Sequence, residues 1–293
     1  MFSIRPAIQD YWDWRAAGNF IFGGTGSGLM IVLAFAASLA ALPFAVPALI
    51  ALAFVGGGLF LVWLEIGKPW RFLNVFRNPF TSWMSREAYA AGALTLAGLA
   101  AILWGTPALI WLAALLAAVF LFCQSKILHA SRGIPAWRDS AVLPVIFATG
   151  IAEGAALAAL ILMAAGPLPG WILALLVVAL AARALAYYAY ASRMRDGRAP
   201  TAVVKRLAHI GTTVWVLAVA VPLVLAVIAW AAPAIAAPAA ALAAVCAILG
   251  GWHIKYNIVR KLAHVQGLAI ERMPVRGTSG AATASAHPGW RGD

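Results

Sequence analysis

Glu65 and Glu87 stand at the two ends of one segment that also carries Lys68, Arg71, Arg77 and Arg86, interleaved with Trp70, Phe72, Phe76, Phe80 and Trp83. Long apolar runs flank it on both sides. Carboxylates held against hydrocarbon can exchange protons near neutral pH. Cations and aromatic rings mixed in this way favour the headgroup layer, where a snorkelling charge and an amphipathic ring are both accommodated. The chemistry this suggests is proton exchange between water and a lipid-soluble substrate. Pro69 and Pro79 each push the preceding residue out of the helical region, so the segment reads as a connection and not as a further span.

Two more ionisable side chains sit inside apolar runs, where charge is costly and points to function. Glu153 falls midway along one run and Arg183 near the middle of the next, at similar depth for a rise of ~1.5 Å per residue. They read as a buried ion pair that fixes the register of two neighbouring helices, or as part of a proton relay. His129, His209, His253 and His264 fall at or near one set of helix ends and none near the other, which excludes a two-haem path across the membrane. The run Phe22-Gly-Gly-Thr-Gly-Ser-Gly28 lacks the Gly-Lys-Ser/Thr ending of a phosphate loop, and no strand precedes it. Small residues spaced like Gly24 and Gly28 let helices pack closely, and glycines also let a ligand approach the backbone. Asn19, just before the run, could donate a hydrogen bond to a carbonyl ligand. Cys123 and Cys246 lie in apolar runs and are too few for an iron–sulfur cluster, which usually takes four thiolates.

These side chains must be carried by elements that belong in lipid. Of the 293 residues, 64% are hydrophobic and 10% charged, against about 25% charged in a soluble domain. The apolar runs predict eight spans, at about 19–42, 47–67, 87–104, 108–129, 140–165, 171–192, 207–230 and 239–258. Residues 1–18 read as a short amphipathic segment with Tyr11, Trp12 and Trp14, without the pattern of a signal peptide. Residues 273–293, rich in Gly, Ser, Thr and Ala, read as a disordered tail. The expected fold is an all-α polytopic membrane protein: one eight-helix domain over 19–272, built from four hairpins that form two four-helix bundles.

The net charge of +12 would suggest nucleic acid in a soluble protein. Here topology accounts for it, and no nucleic acid is expected. Every Lys and Arg except Arg183 lies in the N-terminal segment, in the even-numbered connections and their flanks, or in the C-terminal part. The odd-numbered connections hold none. The positive-inside rule then places both termini and all long connections in the cytoplasm. The other face has only tight turns, so a large soluble partner would dock on the cytoplasmic face.

The blocks Glu65-Ile-Gly-Lys-Pro69 and Asn78-Pro-Phe-Thr-Ser-Trp-Met-Ser-Arg-Glu87 resemble the membrane-anchor subunit of the dimethyl sulfoxide reductase family. So do Ala130-Ser-Arg-Gly-Ile-Pro-Ala-Trp-Arg138, Ala148-Thr-Gly-Ile-Ala-Glu-Gly154 and Phe22-Gly-Gly-Thr-Gly26. The likeness is nearest to the anchors of phenylacetyl-CoA:acceptor oxidoreductases and sulfite dehydrogenases. It implies a haem-free, eight-span anchor in a bacterial inner membrane. Such an anchor holds an iron–sulfur electron-transfer subunit and a molybdopterin catalytic subunit. It exchanges two electrons and two protons with a quinone, either menaquinone or ubiquinone.

By that likeness Glu87 is an acid at the quinone site, while Glu65 stands where members of the branch often carry His. Glu87, Glu65 and His129 are then the candidates for proton exchange, and Trp70, Trp83 and Tyr89 for walls around the ring. Arg71 and Arg86 could polarise a quinone carbonyl as charge forms on it. Asn19 and Gly24 complete the candidate binding set, and no metal is expected in this chain. Two other readings keep the same topology. One is a haem b-binding cytochrome anchor; the other is a small transporter or scaffold, for which the glycine run is the only candidate broken helix.

Overall fold

The computed structural model describes residues 2–4, 7–39, 44–266 and 268–270; the tail 273–293 lies outside them. Eight helices are long and apolar enough to cross a membrane. They are α1 (Trp14–Leu39), α2 (Ala45–Glu65), α3 (Trp83–Trp104), α4 (Pro107–Ala130), α5 (Val142–Ala165), α6 (Gly170–Arg193), α7 (Thr201–Ala231) and α8 (Ala236–Tyr256). The chain is an all-α, multi-pass membrane protein. Among the described residues the only strands are Phe2–Ile4 and Leu268–Ile270, which pair antiparallel.

Local chemistry sets the helix ends. α3 begins a turn earlier than its apolar run, because the Ser82 hydroxyl accepts a hydrogen bond from the Ser85 amide at 3.3 Å. It ends at Gly105, whose φ of 64° is the left-handed conformation that closes helices. Pro107 then opens α4 at a position where no amide donor is needed. α7 also begins well before its apolar run. Its first turns bury Val203, Leu207 and Ile210 while Lys205 and His209 stay exposed, an amphipathic start that mean hydropathy undercounts.

α1–α4 and α5–α8 each form a four-helix bundle, and α1 packs along α5 between them. The glycines explain the closeness of that contact. A Cβ on Gly28 would strike the Gly150 carbonyl, and one on Gly154 would strike the Gly28 backbone, so the two backbones touch directly.

Glu153 lies at this seam, fully buried, and the structure corrects its expected partner. Lys255 of α8, not Arg183, donates to Glu153 Oε2 at 2.6 Å, and neither side chain has any exposed surface. Thr25 Oγ1 of α1 donates to the same oxygen at 2.7 Å, and Trp252 Nε1 donates to Thr25 Oγ1 at 3.1 Å. Glycines make the room: a Cβ on Gly24 would strike Lys255 Nζ, and one on Gly251 would strike Glu153 Oε1. Lys255 therefore does not belong among the interfacial cations. Arg183 has a different task. It donates to the carbonyls of Ala247 and Ala218. The Ala218 carbonyl would normally receive the amide four residues on, but that residue is Pro222, which has none. In hydrocarbon a side-chain donor must replace it.

Removing the Glu153 charge leaves Lys255 buried without its ion-pair partner. Glu153→Gln should destabilise the detergent-solubilised protein by ~3–5 kcal/mol. Adding Lys255→Gln should restore much of the loss, whereas adding Arg183→Gln should not. Thermal unfolding of the three variants checks this, and equal rescue by either second change would contradict the pairing.

Candidate functional site

α2 lies along α1 and α3 along α4, but α2 and α3 touch each other little. The gap between them is a cavity of about 950 Å³. Its floor is α1, through Ala16, Asn19 and Phe20. Its roof is the 3-10 helix Pro69–Arg77, which turns Phe72, Val75 and Phe76 inward. From Glu65 and Glu87 the walls descend to Gly56 on α2 and Leu96 on α3, about 13 Å at 1.5 Å per residue. Phe60 and Leu96 line the cavity and are also exposed on the outer surface of the bundle. The cavity therefore opens sideways, towards where lipid would lie.

The walls are apolar apart from Asn19, Glu65, Glu87, Thr95 and the indoles of Trp12 and Trp63. Glu87 is buried, and its Oε1 accepts from Asn19 Nδ2 at 3.1 Å. Gln124 Nε2 of α4 donates to the Asn19 backbone carbonyl at 2.9 Å and so steadies that turn of α1. Asn19 Oδ1 and Gln124 Oε1 are buried without a hydrogen-bond partner among the described residues. A buried acceptor left without a donor is costly. Glu65 is half-buried at the mouth, beside Leu64, whose carbonyl accepts from Arg15 Nη1 at 2.8 Å. Arg15 is in turn held by Asp13 at 2.9 Å, which pins the N-terminal segment near the opening.

Of the candidate proton-exchange and binding residues read from the sequence, Glu87, Glu65 and Asn19 meet in this cavity; Trp70, Arg71, Trp83, Arg86, Tyr89, Gly24 and His129 do not line it. Trp70 and Arg71 point outward from the roof helix, both exposed. Trp83 packs edge-on against Phe122, with the Arg86 guanidinium 4.2 Å from its ring centre. Arg86 donates to the carbonyls of Pro79 at 2.8 Å and Phe80 at 2.6 Å, and so ties the connection to α3. The Tyr89 hydroxyl donates to the Phe76 carbonyl at 3.0 Å and holds the roof down. Gly24 lies against Lys255, and His129 lines a separate hollow. Gln124 and the apolar walls went unnoticed in the sequence. The walls were nevertheless encoded there: Met84, Ala91 and Thr95 share the helical face of Glu87 at spacings of three to four, with Ala88 and Leu96 at its edge.

No protein-family model matches the chain, and no curated protein matches it.

Gly92 and Gly56 line the cavity, and a Cβ at either would meet nothing within 4 Å. Gly92→Leu should fill the cavity from α3 without strain. Stability should hold or rise by up to ~1 kcal/mol, since glycine is a poor helix former. Uptake of an apolar fluorescent probe should fall sharply; full uptake by a stable Gly92→Leu variant would place the probe outside the cleft.

Proposed function

We propose that this chain is the quinone-reactive membrane anchor of an oxidoreductase complex, with the quinone ring seated between α2 and α3 under the roof helix. One observation carries the reading: a buried carboxylate, oriented by an asparagine, faces an elongated apolar cavity that opens towards lipid. A quinone fits that description. Its ring bears carbonyls that need donors, and its isoprenoid tail needs an apolar track. The ring end belongs at Glu87 and Asn19, and the tail belongs along Phe60 and Leu96.

A bound quinone supplies the two-electron redox change. The protein's own residues supply position and protons. Asn19 Nδ2 holds Glu87 Oε1 in place, so the carboxyl can give or take a proton at a fixed point. Glu65, at the mouth, lies between that point and water and can hand the proton on. The apolar walls keep bulk water from the reacting ring. The arginines named in the sequence take no part at the ring on this geometry; Tyr89 acts by holding the roof and Arg86 by tying the connection after it to α3.

Electrons would enter from, or leave to, cofactors in a partner. An iron–sulfur subunit and a molybdopterin subunit suit that need. They would dock on the face that carries the basic connections, in the cytoplasm of a bacterium whose inner membrane holds the anchor. The charge asymmetry of the connections supports this orientation.

Glu87→Gln keeps size and an oxygen for Asn19 but removes the exchangeable proton. The complex should still assemble and retain quinone on extraction, while quinol-linked turnover in native membranes falls ~10²–10⁴-fold. Wild-type turnover in an assembled Glu87→Gln complex would remove Glu87 from the reaction.

A further inference from the structure

The Glu87 carboxyl is partnered by amides. Its Oε1 accepts from Asn19 Nδ2 at 3.1 Å, and the Gln124 side chain is a second amide beside it. Glu65 shares the cavity, and Arg86 and Cys123 stand nearby. None of these three makes a hydrogen bond or ion pair to Glu87 among the described residues; Arg86 is turned to the Pro79 and Phe80 carbonyls.

The helices are shaped around the two amides. Asn19 and Gln124 are buried, at 4% and 0% exposure. A Cβ on Gly23 would strike Gln124 Nε2, and one on Gly58 would press on Asn19 Oδ1 at 3.0 Å. Gln124 Nε2 donates to the Asn19 backbone carbonyl at 2.9 Å and ties α4 to this turn of α1. Asn19 Oδ1 has no hydrogen-bond partner among the described residues, so only the donor end of that amide is engaged.

A buried carboxyl that exchanges a proton needs a donor when ionised and an acceptor when protonated. A cation beside it would favour the anion alone, and an apolar wall would favour the acid alone. A side-chain amide serves both states. Its NH2 and C=O are alike in size, and its last torsion has a broad two-fold preference. Turned over, the Asn19 amide presents Oδ1 where Nδ2 stood, with no shift of either helix.

We propose that the Asn19 amide turns end for end as Glu87 gains and loses its proton, and that Gln124 is the positioning residue that keeps Asn19 against the carboxyl. The inference rests on the reading that Glu87 exchanges a proton. As an anion, Glu87 accepts from Nδ2. When a proton arrives on the carboxylate, that bond is lost, and the new O–H donates to Oδ1. When the proton leaves, the amide turns back. Glu87 thus keeps one hydrogen bond and one orientation in both states.

The test is an acid-minus-base infrared difference spectrum of the purified full-length protein, and it needs no quinone. The Glu87 carboxyl stretch is the band missing from Glu87→Gln. Labelling with asparagine carrying a heavy carbon in its side-chain carbonyl marks the amide stretches of the four asparagines. One label-sensitive band should change in step with the Glu87 carboxyl and be missing from Glu87→Gln. On protonation that stretch should fall in frequency, because the carbonyl begins to accept a hydrogen bond. An amide that kept its orientation would only lose its N–H bond to the anion, and its stretch would rise. Gln124→Met is close in volume. It should shrink the asparagine signal and move the Glu87 carboxyl stretch up towards that of a free acid. If Gln124→Met does not fold, the wild-type spectra decide. An asparagine stretch that rises or stays still overturns the turning amide, and wild-type spectra from folded Gln124→Met remove Gln124 from the role. Absence of any Glu87 carboxyl band between acid and base is a different failure, that of proton exchange at Glu87, and it overturns both.

Discussion

Glu153 is the point on which the two bundles agree. It accepts from Lys255 of α8 and from Thr25 of α1 through one oxygen, and so joins three helices across the seam. A charge in dry hydrocarbon is tolerated only when paired and hydrogen-bonded. That requirement sets the register of α1 against α5. The glycines of α1 are the other half of the arrangement, since they admit Lys255 on one side and the α5 backbone on another. With Thr25 fixed, Asn19 lies fewer than two turns away on the same rigid helix. The buried ion pair and the cavity are thus two ends of one strut.

The first bundle is built unevenly around that strut. α2 follows α1 and α3 follows α4, which leaves the α2–α3 side open. The roof helix covers the opening and buries none of its own residues. It is held through its Phe76 carbonyl, which accepts from Tyr89, and the connection after it through the Pro79 and Phe80 carbonyls, which accept from Arg86. Tight packing at the seam and a loosely closed cleft beside it give the chain two properties that the proposed anchor role needs. Glu87 and Asn19 stay fixed, and a long apolar molecule still has a way in from the side.

The eight spans could be read from hydropathy alone, because each needs about 20 apolar residues and the connections are polar or marked by glycine and proline. Glu87 stood out because it closes an aromatic and basic segment. Lys255 did not, because it falls close to Arg260 and Lys261, and a count along the sequence does not tell a snorkelling cation from a buried one. Arg183 was misread for the opposite reason. Its depth was clear, but its partners are carbonyls, and one of them is short of a donor only because Pro222 follows a turn later. The roof residues show a third limit. Composition placed Trp70 and Phe76 together at the membrane surface, yet only the geometry of a short helix decides that Phe76 faces in and Trp70 faces out.

Whether a quinone occupies the cleft between α2 and α3 is best read by photolabelling. A quinone carrying a photoreactive group on its ring would be activated in native membranes, and the labelled peptides mapped by mass spectrometry. Labels on Trp63, Met84 and their neighbours in the cavity wall, competed away by unlabelled quinone, are what this account predicts. Competable labels confined to the outward face of the roof helix, or to helices α5–α8, would contradict it.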